Sequence, residues 1–149
     1  MSVVLGYDES PGAREALRVA LDVARKYAEP LVLVYATAPP GSGMGEEYRS
    51  HREALEEIGR AAVAHAVEAA DAVGVRTVVE LVAARPSDAL IEVAGRHDTT
   101  VIVVGTYGES PLRGAILGST PHKLLHLSHV PVLCVPAPEG THPGTHRQE

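Results

Sequence analysis

Apolar residues cluster in five short runs along the chain, at residues 3–7, 31–36, 75–83, 100–104 and 130–135. The first, Val3-Val4-Leu5-Gly6-Tyr7, and the second, Leu31-Val32-Leu33-Val34-Tyr35-Ala36, show no polar and apolar alternation. That is the pattern of strands covered on both faces. Between these runs the period changes to three and four. Ala13, Ala16, Leu17, Ala20, Leu21, Ala24 and Tyr27 make one such stripe, which predicts a helix with its apolar side buried. Ser10 supplies an N-cap and Pro11 a first-turn proline, and Pro30 ends the segment. A second stripe, Leu55, Ile58, Ala62, Ala66, Ala69 and Val73, predicts a long helix over residues 46–73 with Gly74 as its stop. Before it, residues 37–45 carry Pro39, Pro40, Gly41, Gly43 and Gly45, the composition of a loop. After Arg85 and Pro86, Ser87 is placed to cap a short helix with Asp88 in its first turn and Leu90, Ile91 and Ala94 inward. A last helix is predicted over residues 119–128.

Strands that alternate with helices imply right-handed crossovers and parallel pairing. The expected fold class is therefore α/β, a single doubly wound five-stranded parallel sheet in the order 3-2-1-4-5. In that order the first and fourth strands are neighbours at the topological switch, and ligands bind beyond their carboxyl ends. Asp8, just past the first strand, then lies beside Gly105, just past the fourth. Residues 1–136 make one domain; residues 137–149 are polar, rich in Pro, Gly, Thr and His, and are expected to be a disordered tail.

Composition narrows the function. With 149 residues, 13 Lys and Arg against 19 Asp and Glu give a net charge of −6. An acidic balance argues against a phosphate-backbone reader, and five Tyr with no Trp or Phe leave few stacking platforms for single-stranded nucleic acid. No nucleic-acid partner is expected. Cys134 is the lone cysteine, so no disulfide forms within the chain, and it reads as a small hydrophobe in a buried strand. No run approaches the roughly 18 apolar residues of a membrane span, and the first residues lack the basic segment and cleavage site of a secretory signal. A soluble, cytoplasmic protein with no membrane partner is expected.

The strongest chemical signal is Gly105-Thr106-Tyr107-Gly108, followed after nine residues by Gly118-Ser119-Thr120. Glycines let a backbone turn sharply and approach a phosphate closely. Ser119, Thr120 and Pro121 then open a helix whose free amides and dipole favour an anion, with two hydroxyls as further donors. A strand, a glycine loop and a helix start in this order make a phosphate cradle. The plainer reading is a connection with helix-capping hydroxyls. The loop is neither Walker A nor G-x-G-x-x-G, and no adenylyl-transfer signature of the His-x-Gly-His kind occurs.

Together, the G-x2-G-x9-G-S spacing at Gly105, Gly108, Gly118 and Ser119, Asp8 after the first strand, and the closing Pro131-Val132-Leu133-Cys134-Val135 resemble the universal stress protein family of the UspA type. The resemblance spans about residues 2–136 and implies the adenine nucleotide alpha hydrolase-like variant of the Rossmann-like fold. It also implies ATP as ligand, with Mg2+ as an optional companion, and a homodimer. By resemblance Asp8 and the Ala36 backbone meet the adenine, while Gly105, Gly108, Gly118, Ser119 and Thr120 hold ribose and phosphates. Glu109 stands where a basic residue is frequent among ATP binders, and Pro111 stands in a stretch that is often glycine. Arg113 is the nearest cation to compensate. The implied function is a nucleotide-binding regulatory or protective protein of stress response, non-catalytic or weakly ATP-hydrolysing. The alternative is a dimeric interaction module of the same fold with no nucleotide. A nucleotide-dependent transferase ranks last, because no nucleophile or metal-ligand set is legible.

Three further expectations concern single features. His122 and His126 lie four apart with His129 following, a chelating geometry, but no acidic or cysteine ligand is near in sequence, so they read as solvated polar residues and no metal site is expected. No catalytic residue is assigned, Asp8 reading as a binding group because it lacks a partner nucleophile. The strand of residues 130–135 falls at a sheet edge, apolar and uncharged, which is the template for pairing with a second copy.

Overall fold

Strand and helix alternate along the chain in the order β1 (Ser2–Gly6), α1 (Pro11–Tyr27), β2 (Leu31–Ala36), α2 (Glu46–Ala72), β3 (Thr77–Val82), α3 (Pro86–Arg96), β4 (Thr99–Gly105), α4 (Ser119–Leu127) and β5 (Val132–Val135). This computed structural model describes residues 1–37, 46–106 and 118–137. The five strands form one parallel sheet in the order β3-β2-β1-β4-β5, as the doubly wound reading requires. β1 is central, with Val3 opposite Leu31 and Val101 and Leu5 opposite Leu33 and Val103.

The absence of alternation in β1 has its physical reason in two separate cores. Val3 and Leu5 face one side, against α1 and α2, whose contacts there are mostly alanine: Ala16, Ala20, Ala24, Ala62 and Ala66. Val4, Val32 and Ile102 face the other, against Leu90 and Val93 of α3 and Leu124 of α4. Val3, Val4 and Leu5 are wholly buried; burial of each such side chain favours folding by roughly 1.5 to 3 kcal/mol.

α1 begins as expected. Ser10 is its N-cap, the Ala13 N–H donates to Ser10 Oγ at 3.1 Å, and Pro11 occupies the first turn. α2 keeps Leu55, Ala62, Ala66 and Ala69 of the expected stripe at least half-buried and departs from it at two positions. Ile58 and Val73 are 57% and 40% exposed, and the buried residues are Gly59, Ala62, Val63, Ala66 and Ala70. The cause lies at Gly59, where a Cβ would stand 2.7 Å from the Tyr35 ring. The residue with no side chain is turned onto the sheet, and this rotation carries Ile58 outward.

The start of α3 also differs. Arg85, not Ser87, is the N-cap; it gives no side-chain capping bond, Pro86 follows at the first helical position, and Ser87 is buried inside the helix. Proline fixes both outcomes, since its φ suits the first turn and it pushes the preceding residue to an extended conformation. β3 and β5 are shorter than the apolar runs. The Val75 N–H is drawn to Ala70 O at the end of α2, with Gly74 at φ 75°. The Val130 N–H donates to Ser128 Oγ at 3.1 Å, which holds that residue in a turn ahead of β5. The expected loop at residues 37–45 lies outside the described residues except for Thr37, and the expected tail except for Ala137.

Candidate functional site

Beyond the carboxyl ends of β1 and β4 the chain leaves a crevice of about 560 Å³, within the size range of small-molecule sites. Asp8, Ala36, Gly105, Gly118, Ser119 and Thr120 all line it, so six of the sequence-derived candidates meet in one place. Gly108 and Arg113, together with Glu109 and Pro111, lie outside the described residues.

Asp8 is half-buried, and its Oδ1 accepts the Ser10 N–H at 3.0 Å. One carboxylate oxygen therefore braces the turn into α1. Ala36 ends β2, and the Thr37 N–H after it donates to Val82 O at 2.8 Å. The opposite rim is the start of α4. Its N-cap is Gly118, whose own N–H donates to Thr106 O at 2.9 Å. Ser119 and Thr120 stand in the first turn, where amides have no acceptor within the helix. Pro121 contributes no N–H, and no acidic side chain occupies this first turn. The pole is thus open to an anion. Where the chain leaves β4, Thr106 Oγ1 is buried with no hydrogen-bond partner among the described residues. Free amides and two hydroxyls on this rim fit a phosphate-bearing ligand.

The two glycines have a structural reason besides the one their motif suggests. A Cβ on Gly105 would come within 2.8 Å of the Gly12 backbone at the start of α1. One on Gly118 would stand 2.9 Å from Thr106 O. Both are needed for main-chain contacts between the crevice elements themselves, before any ligand is considered.

The wall contains residues that no motif revealed. Tyr35, Leu55, Pro86 and Leu90 line the crevice, giving a flat ligand face an apolar surface. In the sequence Leu55 and Leu90 read as apolar helix positions facing the core, and Tyr35 and Pro86 as the end of a strand and the start of a helix. Tyr7 also lines it, and burial pushes its phenol up, with the Glu9 carboxylate adding and Arg14 opposing. It remains a neutral hydroxyl at physiological pH. Away from the crevice, the His122 and His126 rings meet edge to face with centroids 4.8 Å apart. Among the described residues no group of three or more His, Cys, Asp or Glu side chains could hold a metal ion, and no helix is long and apolar enough to cross a membrane.

Known proteins resemble this chain in sequence and in fold. A universal stress protein of Thermus aquaticus, encoded in the QAH/OAS sulfhydrylase 3' region, is 31% identical over 135 residues, covering 90% of this chain and 97% of its own. A universal stress protein solved in complex with cAMP superposes with a TM-score of 0.72 at 26% identity, over 93% of this chain and 98% of that one. MJ0577, the subject of a structure-based assignment of biochemical function, shares the fold with a TM-score of 0.83 at 21% identity, over 93% and 97% of the two chains. These neighbours have the adenine nucleotide alpha hydrolase-like fold. The model of the universal stress protein family matches residues 1–136, which is nearly all of the chain described above, and the chain belongs to that family.

Proposed function

We propose that the crevice between β1 and β4 binds an adenine nucleotide, ATP among them, and that the chain acts as a regulatory or protective protein in stress response. One observation carries this reading: the amides and hydroxyls at the start of α4 share a crevice with Asp8 and with the apolar wall of Tyr35 and Leu90. One end suits phosphate and the other a nucleobase. The cAMP complex of the relative that is 26% identical supports the same ligand class. Asp8 and the main chain at Ala36 take the base, and Gly105, Gly118, Ser119 and Thr120 take ribose and phosphate. By the family resemblance Gly108 and Arg113 are the remaining candidates for the phosphates, with Mg2+ accompanying ATP.

The test is thermal stability and calorimetry with ATP, AMP and cAMP at several millimolar, with and without Mg2+. A ligand at 100 times its Kd adds about 2.7 kcal/mol, roughly 5 to 10 °C for a domain of this size. No shift with any of the three would favour the second reading, a dimeric interaction module of the same fold.

In either reading we infer a homodimer through residues 130–135. β5 is a sheet edge, its Leu133 is 37% exposed, and Leu125 and Leu127 on the neighbouring α4 are each 55% exposed. Antiparallel pairing across a two-fold axis would continue the sheet. Light scattering should give a dimer at tens of micromolar and a monomer for Leu133→Lys. A monomeric wild type would end the dimer reading, and a dimeric variant would place the contact elsewhere.

A further inference from the structure

The turn from β1 into α1 presents Asp8 and Ser10 to the crevice, and Glu9 between them does not line it. Glu9 has φ 61°, in the left-handed region where a side chain is strained and glycine is at ease. Such a conformation persists only where the surroundings over-determine it. Two restraints are local: the Ser10 N–H on Asp8 Oδ1 and the Ala13 N–H on Ser10 Oγ. The third is remote. Glu9 Oε1 meets Nδ1 of His65, 56 positions away on α2, and so ties the turn to a second helix on the same face of the sheet.

We propose that the Glu9–His65 contact is a clamp that fixes this turn and thereby aims Asp8 and Ser10 at the ligand. His65, which does not line the crevice, is then a positioning residue for it. The inference rests on the nucleotide reading of the site. Its logic is geometric. Glycine at position 9 would adopt the same φ without strain but would leave the turn free to pivot. Glutamate there narrows the turn's choices, and its carboxylate reaches a fixed point on α2. His65 is 68% exposed, so truncating it opens no cavity in the core. An exposed pair of this kind contributes little to overall stability. Its effect lies in where Asp8 points, because a binding group displaced by a fraction of an ångström holds its ligand poorly even in an intact fold.

The test is a double-mutant cycle on the full chain, read by calorimetric affinity for ATP and for AMP, with melting temperature as the control. His65→Ala should weaken both ligands about three- to tenfold, with the melting temperature within about 2 °C of wild type. His65→Gln, whose amide still donates to the carboxylate, should restore most of the affinity. In a Glu9→Gly background, where the clamp has no carboxylate to hold, His65→Ala should change nothing further. Wild-type affinity in His65→Ala, failure of His65→Gln to restore it, or simple additivity of the two single effects would each overturn the clamp. A wild type that binds neither nucleotide would instead overturn the nucleotide reading beneath it, so the two failures are distinct.

Discussion

At the scale of single residues, the glycines of the crevice have a structural role beside the one a phosphate loop suggests. Gly105 and Gly118 are demanded by Gly12 and by Thr106 O, main-chain atoms less than 3 Å from where a Cβ would sit. Backbone gives way less easily than a side chain, so substitution there strains the fold itself. Gly118→Val should therefore lower the melting temperature with no ligand present, by about 2 kcal/mol of stability. An unchanged melting temperature, with only nucleotide binding lost, would return that glycine to a purely ligand-facing role. Cys134 offers a second check at this scale. It is half-buried on β5, and burial pushes its thiol above the usual cysteine range. Because the thiolate is the reactive form, labelling by a disulfide reagent should be slow at pH 7 and accelerate only at a higher pH than for a free cysteine. Denatured chain should react faster than folded chain at pH 8. Equal rates at that pH would show that the strand does not shield the sulfur.

Among the elements, the ends of the helices decide what the sequence can tell. Ser10 caps α1 through its Oγ, and Ser10→Ala should lose about 1 kcal/mol, seen as a lower urea midpoint with unchanged slope. α3 has no capping side chain at Arg85, so Arg85→Ser or Arg85→Asp should stabilise the protein by about 0.5 to 1 kcal/mol; destabilisation would mean that Arg85 has a contact worth more than a cap. The contrast explains what was legible. β2 and α1 lie where the apolar runs and the Ser10-Pro11 pair placed them, because local signals and packing agree there. Ser87 misled, since a good capping residue follows a proline that already fixes the helix start. The α2 stripe misled as well: Ile58 outranks Gly59 on any hydrophobicity scale, yet the Tyr35 ring leaves room only for the glycine. Asp8 and the residues around Gly118 were legible as a site because a strand end and turn chemistry mark them, whereas Ala36 came only from the family resemblance. Tyr35, Leu55, Pro86 and Leu90 were not, since an apolar wall residue looks like any core residue until the elements are assembled.

For the molecule as a whole, the sheet order joins distant parts of the chain at one place. β1 is paired on one side with β2 and on the other with β4, and the crevice needs Asp8 from the start of the chain and Ser119 from near its end. Leu5, wholly buried in the core beneath α1, should report the stability of this junction: Leu5→Ala should cost about 3 kcal/mol, measured by denaturant unfolding, and a cost below about 1 kcal/mol would mean that the centre of the sheet repacks freely. The position of β1 also sets a schedule for synthesis. As the chain leaves the ribosome, β1, β2 and β3 can pair once residue 82 has emerged, but β4 begins only at Thr99. Until then β1 is a sheet edge, with Val3, Val4 and Leu5 wholly apolar along it and a row of unpaired amides and carbonyls open to another nascent chain. A fragment of residues 1–98 should aggregate or bind a holdase chaperone, while one of residues 1–137 should not; equal solubility of the two would show that the growing chain protects β1 by other means.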